Sequence, residues 1–147
     1  GDVLNTRLIH QLLLAVDHIA ICGVAHQDVK PENLMLYDLS VEEETAHLKL
    51  GDFGWAVRIS GTQGTVPAEG AGSLWYAPPE LNPPVKGIPP LSPPGSFLGR
   101  SDMWSAGVVV YLLLVGHNPF YTATKLKEQA LVEAEVLRLV ASGAFDS

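Results

Sequence analysis

Proline pairs near the middle of the chain place the strongest limit on its fold. Eight of the eleven prolines in the 147-residue sequence lie between positions 78 and 94, in four adjacent pairs. Proline has no backbone N–H and restricts the residue before it, so this stretch can form neither a continuous helix nor a central strand. We expect a short turn followed by an extended, proline-rich surface insertion over residues 81–100.

The first part of the chain has the apolar spacing of a helix. Over residues 3–21, apolar side chains recur at three- and four-residue steps, among them Leu8, Leu12 and Val16, which places them along one side of a helix. Gly23 follows as a stop signal. The first helix therefore needs a neighbour to cover its apolar side.

Two more helices and a hairpin are predicted after it. Two short strand candidates, the apolar residues 34–36 and the alternating polar and apolar residues 47–50, flank a polar, acidic turn and indicate a hairpin. A core helix is predicted over residues 101–116, with Ser101 as its N-cap, and it is apolar nearly all round, so it belongs inside the domain. The last helix is predicted over about residues 124–141. The fold class expected is mainly α with a small β-hairpin.

Composition excludes several classes of protein. Apolar residues make up 47% of the chain, enough for a buried core, whereas the formal net charge of −7 opposes the phosphate neutralisation that nucleic-acid binding needs. The single cysteine, Cys22, cannot form an internal disulfide, and we expect it to be a small buried apolar residue. The longest apolar run, residues 106–116, is shorter than the roughly 20 residues of a membrane span. Nucleic-acid binding and a membrane span are therefore not expected.

A polar loop and a nearby aspartate carry the residues of a phosphate site. Residues 26–33 place the carboxylate of Asp28, the amine of Lys30 and the amide of Asn33 close together in the chain, and Asp52 follows the second predicted strand. Mg²⁺ prefers oxygen ligands, one or two of them carboxylates, with substrate phosphates completing its shell. A remaining carboxylate can accept the proton of an attacking hydroxyl. The pattern predicts a site for magnesium and a phosphoryl group.

Four ordered sequence blocks resemble those of the eukaryotic protein kinases. The catalytic-loop signature H-R-D-L-x-x-x-N is matched in register by His26, Asp28 and Asn33. The resemblance spans nearly all of residues 1–147 and implies an incomplete large, C-terminal lobe of a protein kinase. The other three blocks are D-F-G at residues 52–54, a block similar to G-T-x-x-Y-x-A-P-E at residues 72–80, and one similar to D-x-W-S-x-G at residues 102–107.

The resemblance implies a role for each residue of the polar loop. Asp28 would be the catalytic base for the substrate hydroxyl, and Lys30 would neutralise charge on the γ-phosphate. Asn33 and Asp52 would hold Mg²⁺ and, with Lys30, bind ATP. Because Lys30 precedes Pro31, the loop resembles the serine/threonine branch. The implied activity is transfer of the γ-phosphoryl group of ATP to a serine or threonine hydroxyl of a protein substrate.

Further residues of these blocks would support the substrate and the loop. The Ser73 hydroxyl would bridge Asp28 and Lys30, and Glu32 matches a position that pairs with a substrate arginine in kinases that prefer basic substrates. The activation segment would span residues 52–80. Structural support is implied for His26, Phe53, Gly54, Glu80 and Asp102, with Asp102 anchoring the backbone of the catalytic loop.

Departures from the family pattern keep other functions open. Gln27 replaces the arginine that normally pairs with an activation-loop phosphate, so switching through this residue by phosphorylation is not expected. The resemblance does not extend to the glycine-rich loop and small lobe of the family, and we expect residues 1–147 by themselves to be inactive. One alternative to an active protein kinase is a pseudokinase or scaffold lobe whose proline-rich insertion docks to a protein partner. A second alternative is a phosphotransferase that acts on small molecules. A cytoplasmic location is expected, although the first residues do not fix the compartment.

Overall fold

A long helix begins the structure and buries one side. α1 spans Asp2–Ile21, one residue longer at its start than predicted, and it buries Leu8, Leu12 and Val16. Gly23 follows with φ +70°, a left-handed conformation that glycine adopts without strain and that commonly ends helices. The computed structural model describes residues 2–40, 45–59, 73–81, 98–120 and 129–142.

Two small antiparallel sheets follow α1. The predicted hairpin is present as β2 (Leu34–Ser40) and β3 (Thr45–Leu50), and both strands are longer than predicted. A second sheet, which sequence analysis missed, pairs β1 (Val24–Ala25) with β4 (Val57–Arg58). This second sheet brackets the polar loop and the D-F-G block, because one strand precedes the loop and the other follows the block.

The core helix begins earlier than predicted. α2 spans Leu98–Val115, and Gly116 with φ +88° ends it. The prediction that Ser101 is the N-cap is wrong, because Ser101 lies within the first turns of the helix and is buried. The insertion is correspondingly shorter than residues 81–100, since its last positions are helical.

The last helix and the insertion are described only in part. α3 spans Gln129–Ser142. The predicted start near residue 124 lies outside the described residues, as do residues 82–97 of the insertion. Leu81, the predicted first residue of the insertion, belongs instead to a 3-10 turn, Pro79–Leu81.

The core has two parts that α2 joins. Ala106 and Val109 of α2 pack with α1, while Val108, one residue away, packs with α3 and the buried Phe120. The Gln11 side chain ties α1 to β3, because its Nε2 donates to the Ala46 carbonyl oxygen at 2.9 Å and its Oε1 accepts from the Leu48 N–H at 2.9 Å. The Asn5 side chain ties α1 to α2, since its Nδ2 donates to the Leu113 carbonyl oxygen at 3.0 Å. The buried residues of the first part are Leu12, Val16, Val29, Ala106 and Val109, and those of the second are Val108, Phe120, Val136, Leu139 and Val140.

The prediction that Cys22 is buried is wrong. The thiol is exposed at the end of α1, where its Sγ lies 3.8 Å from His18 Nε2. Its position after the last helical turn removes it from the apolar side of α1. Among the described residues, no helix is both long and apolar enough to cross a bilayer.

Candidate active site

Asp102 holds the start of the polar loop in place. Its carboxylate accepts hydrogen bonds from the backbone N–H groups of His26 at 2.6 Å and Gln27 at 2.7 Å. Burial raises the pKa of Asp102 above its ordinary value, while these two N–H groups lower it and do not fully offset the burial. The carboxylate fixes the loop onto α2, across 75 residues of sequence in the case of Gln27.

The Asp28 carboxylate lies at the centre of a polar cluster. Its Oδ1 accepts a hydrogen bond from the Ser73 hydroxyl at 3.0 Å. Its Oδ2 lies 2.8 Å from Lys30 Nζ and 3.1 Å from Asn33 Nδ2. Lys30 Nζ also donates to Ser73 Oγ at 2.8 Å. The structure therefore brings all four of these predicted site residues together, and Ser73 Oγ bridges Asp28 and Lys30.

Hydrogen bonds to Asp28 orient the Asn33 side chain. Its Nδ2 donates both to the Asp28 carbonyl oxygen at 2.8 Å and to the Asp28 carboxylate. The amide oxygen therefore points away from Asp28, and it accepts no hydrogen bond within the described residues. An amide oxygen held in this way is free to bind a cation or a ligand donor.

The D-F-G block is joined to the polar loop through Gly51. The Gly51 N–H donates to the Asn33 carbonyl oxygen at 2.9 Å, and the Gly51 carbonyl oxygen accepts from His26 Nε2 at 2.9 Å. His26 Nδ1 in turn lies 3.3 Å from the Asp28 N–H, so the partners assign the Nε2–H tautomer. His26 also contacts the Phe53 ring edge-on, with centroids 4.7 Å apart.

Asp52 is exposed and has a strained backbone. Its φ of +55° lies in the left-handed region that favours glycine. The Gly54 N–H donates to Asp52 Oδ1 at 3.2 Å, and a Cβ at Gly54 would lie 3.1 Å from that oxygen, so the turn leaves little space for a side chain there. Only Oδ1 is used by this bond, and Oδ2 remains available to solvent or a ligand.

The side chains at the loop fit a magnesium ion in their chemistry. Asn33 and Asp52 offer oxygen donors, and Mg²⁺ takes one or two protein carboxylates with substrate phosphates and water. Within the described ranges, no group of three or more histidine, cysteine, aspartate or glutamate side chains is placed to hold a metal. Two protein ligands would leave positions in the shell of the ion for substrate phosphates and water.

Tyr76 occupies the segment beside the loop. Burial raises the pKa of its hydroxyl, the nearby Glu32 carboxylate raises it further, and a hydrogen bond with Asn118 lowers it. Ser105 Oγ lies 2.8 Å from the Tyr76 carbonyl oxygen, which ties the segment to α2. Glu32 is exposed beside Tyr76, where a substrate side chain can reach it. Sequence analysis included Ser105 in the block at residues 102–107 without giving it a role, and it missed Asn118, because an isolated polar residue carries no pattern.

Gln27 departs from the rule that buried polar groups are paired. The side chain is 3% exposed and its Nε2 makes no hydrogen bond with the described residues. Its φ of +67° adds backbone strain in the residue that precedes Asp28. Two other predicted positions, Gly72 and the side chain of Glu80, lie outside the described residues, as does the rest of the activation segment over residues 60–71.

Comparison with known proteins decides the family. The protein kinase domain family matches residues 4–144 of the chain. This chain belongs to the protein kinase family. It is 37% identical over 120 residues to the delta subunit of calcium/calmodulin-dependent protein kinase type II from Oryctolagus cuniculus, a match that covers 79% of this chain. It is 36% identical over 113 residues, 75% of the chain, to the serine/threonine-protein kinase CHK1 of Saccharomyces cerevisiae.

A solved kinase structure shares the fold. The chain superposes on a chain of the yeast RNA Pol II CTD kinase CTDK-1 complex with a TM-score of 0.67 and 24% identity, covering 92% of this chain and 38% of the other. That likeness supports the kinase fold alone. The chain spans 19% of the length of each of the two curated kinases above.

Proposed function

We propose that this kinase chain carries the phosphotransfer residues of an active serine/threonine protein kinase. The observation that supports it is the cluster at Asp28, in which a cation, a hydroxyl and an amide each donate to one carboxylate. Three donors at fixed positions hold the carboxylate in one orientation, and preorganised polar groups of this kind are the usual source of catalytic power.

Asp28 is the proposed proton acceptor. The hydroxyl of a serine or threonine substrate approaches the carboxylate, which accepts its proton as the oxygen attacks the γ-phosphorus of ATP. Lys30 is placed beside the same carboxylate, at 2.8 Å, so its ammonium group is available to the negative charge that develops on the phosphoryl oxygens. When bound, Mg²⁺ would neutralise phosphate charge, and Asn33 and Asp52 would hold it.

The proposal of a protein substrate, and not a small molecule, rests on the segment beside Lys30. The ammonium group donates to Ser73, which positions the segment carrying Tyr76 next to the loop. Glu32 is exposed and close enough to Tyr76 to raise the pKa of its hydroxyl, so its carboxylate would favour a protein substrate with a basic side chain nearby. A protein platform beside the catalytic carboxylate distinguishes this proposal from a small-molecule phosphotransferase.

The decisive experiment measures transfer of labelled γ-phosphate from Mg-ATP to a mixture of serine- and threonine-containing peptides by the full-length protein. Asp28→Asn removes the proton acceptor and keeps the shape, so we expect turnover to fall by about 10²–10⁴-fold. Nucleotide binding, followed by a separate titration, is expected to remain largely intact.

Asp17→Asn is the matched control, since Asp17 is an exposed carboxylate on α1. It should leave transfer unchanged. Turnover that survives Asp28→Asn would show that the base is another residue. A wild-type protein that binds partners but transfers no phosphate to any peptide would instead favour the scaffold function.

A further inference from the structure

One polar side chain of the turn after α2 contacts the segment that carries Tyr76. The turn follows Gly116, and its Pro119 and Phe120 are fully buried, with Phe120 packed among the core residues of α2 and α3. Asn118 directly precedes these two residues and is only partly buried. The buried part of the turn therefore gives Asn118 a fixed base.

The orientation of the Asn118 amide is set within the turn itself. The Phe120 N–H donates to Asn118 Oδ1 at 2.9 Å, two residues along the chain, a local bond that asparagine commonly forms in turns. Because the Phe120 N–H needs an oxygen as its acceptor, this bond assigns the oxygen and nitrogen of the amide. The Nδ2 group then faces away from Phe120, and its two hydrogens are available to other partners.

The Asn118 Nδ2 group serves the segment that lies beside Lys30. It donates to the Trp75 carbonyl oxygen at 3.3 Å, across 43 residues of sequence. Asn118 is also the hydrogen-bond partner of the Tyr76 hydroxyl, and this bond opposes the rise in pKa that burial and then the Glu32 carboxylate cause. One amide thus holds two successive residues of the segment.

The segment has two separate attachments. Its first residue, Ser73, is bonded to Asp28 and Lys30. Trp75 and Tyr76 are instead held by Asn118 and by α2, where Ser105 Oγ lies 2.8 Å from the Tyr76 carbonyl oxygen. One attachment is therefore at the proposed proton acceptor, and the other is at the side chain and backbone of Tyr76.

We propose that Asn118 is a positioning residue for the protein substrate, because it fixes the part of the segment, Trp75 and Tyr76, on which the substrate peptide lies. This inference rests on the proposed kinase function. Ser73 orients the carboxylate that accepts the proton, whereas Asn118 acts through Tyr76 on the binding of the peptide. Loss of the Asn118 amide should therefore change the KM for the peptide, and loss of the Ser73 hydroxyl should change kcat.

The test compares the kinetics of Asn118→Ser with those of the wild-type full-length protein. Serine still offers an oxygen to the Phe120 N–H and adds no charge, but it is too short to bond Trp75 or Tyr76. The KM for a serine-containing peptide should rise by about two- to tenfold, the effect of one lost hydrogen bond, while kcat and the KM for ATP stay within about twofold.

Two variants serve as references. Asn5→Ser removes the same kind of bond, from an amide to the Leu113 carbonyl oxygen, at a place on α1 outside the segment. It should leave kcat and both KM values unchanged. Ser73→Ala should lower kcat by a larger factor than it raises the peptide KM, since it removes a donor to the Asp28 carboxylate.

A second measurement does not require activity. The amides of Tyr76 and Ala77 both bond to the Ser73 carbonyl oxygen within the segment, so their exchange with deuterium reports how firmly the segment is held. Exchange of residues 73–81, followed by mass spectrometry, should be faster in Asn118→Ser than in the wild type and unchanged in Asn5→Ser.

The outcomes separate this inference from the proposed function. A wild type that transfers no phosphate to any peptide overturns the kinase function and the role of Asn118 with it. An active wild type whose peptide KM equals that of Asn118→Ser overturns the role of Asn118 alone. Equal exchange of residues 73–81 in the two proteins, or a fall in kcat without a rise in the peptide KM, does the same.

Discussion

The polar loop and the D-F-G block sit side by side but are held in opposite ways. Every residue from Ala25 to Val29 is buried, and the loop is fixed by contacts from distant parts of the chain, with Asp102 foremost. Asp52 and Phe53 are exposed, and the Asp52 carboxylate accepts a hydrogen bond from the N–H of Gly54, two residues along the chain. The residue proposed to accept a proton is thus held by the protein, whereas the residue proposed to bind a cation is left open to a ligand.

The difference also shows in where the backbone is strained. Gln27 and Asp52 both have positive φ, but the Gln27 N–H is held by a buried carboxylate and Asp52 is accessible. Strain of this kind persists only where surrounding contacts enforce it. The buried loop should therefore respond to substitution mainly through stability, and the open block mainly through ligand binding.

Asp102→Ala should have the largest effect on folding. It leaves two buried N–H groups without an acceptor, and hydrogen bonds to charged groups contribute about 1.5–3 kcal/mol each, so the free energy of unfolding should fall by about 3 kcal/mol or more. Urea denaturation followed by circular dichroism measures it. Asp17→Ala, at an exposed position on α1, should stay within about 0.5 kcal/mol of the wild type. Equal losses of stability in Asp102→Ala and Asp17→Ala would show that the buried Asp102 carboxylate contributes no more to folding than an exposed one.

Two glutamines should respond in opposite directions to the same change. Gln27→Met replaces a buried amide whose Nε2 is unpaired among the described residues, so the free energy of unfolding should rise by about 1 kcal/mol. Gln11→Met removes the two hydrogen bonds of the Gln11 side chain to Ala46 and Leu48 of β3, so the free energy of unfolding should fall by about 1–2 kcal/mol. The same urea titrations measure both. If Gln27→Met destabilises the chain as Gln11→Met does, then the Gln27 amide has a partner that contributes to folding.

The raised pKa of Asp102 predicts a pH dependence. The folded state holds the Asp102 proton more tightly than the unfolded state, whose carboxyl has the ordinary value of 3.8. Stability from this group is therefore complete at low pH and is lost as the pH rises from about 3.8 through the raised folded value. The free energy of unfolding of the wild type minus that of Asp102→Asn should fall as the pH rises through that window, because only the wild type has a carboxyl that loses its proton. A constant difference would show that burial does not control this carboxyl.

Asp52→Asn should have the smallest effect on stability. The side chain is exposed and its neutral replacement can still accept the Gly54 N–H, so the free energy of unfolding should stay within about 0.5 kcal/mol. Binding of Mg-ATP to the full-length protein, measured by calorimetry, should nevertheless weaken. A large loss of stability with unchanged nucleotide binding would show that Asp52 contributes to folding, as the buried loop does, and not to ligand binding.

Sequence patterns predicted the parts of the fold that local chemistry determines. The apolar spacing of α1, the stop at Gly23 and the apolar runs of the hairpin each depend on residues close together in the chain. The β1–β4 sheet was missed because two-residue strands have no period. Ser101 was misread as a cap because the preceding Leu98-Gly99-Arg100 has no helical signal of its own, and the contacts of α2 with the core override it.

The candidate site was predictable to a different extent. The resemblance to the kinase motifs implied that Ser73 bridges Asp28 and Lys30, and the structure places these side chains and Asn33 together, while their roles are proposals. The hydrogen bonds of Gln11 to β3 could not be predicted from the sequence, nor could the Gln27 Nε2 that has no partner within the described residues. A single polar residue gives no sign in the sequence of whether it is solvated or buried.

The Ser73 hydroxyl makes the state of one segment depend on another. It accepts from Lys30 and donates to Asp28, so withdrawal of residues 73–81 would deprive both side chains of a partner in the same event. Thermodynamic reciprocity then requires that a molecule which binds the docked segment more tightly also favours the oriented carboxylate, by the same free energy. Under the proposed kinase function, a protein substrate lying on this segment would help to orient the carboxylate that accepts its proton. Substrates would then be discriminated by how far each one shifts the population toward the docked segment.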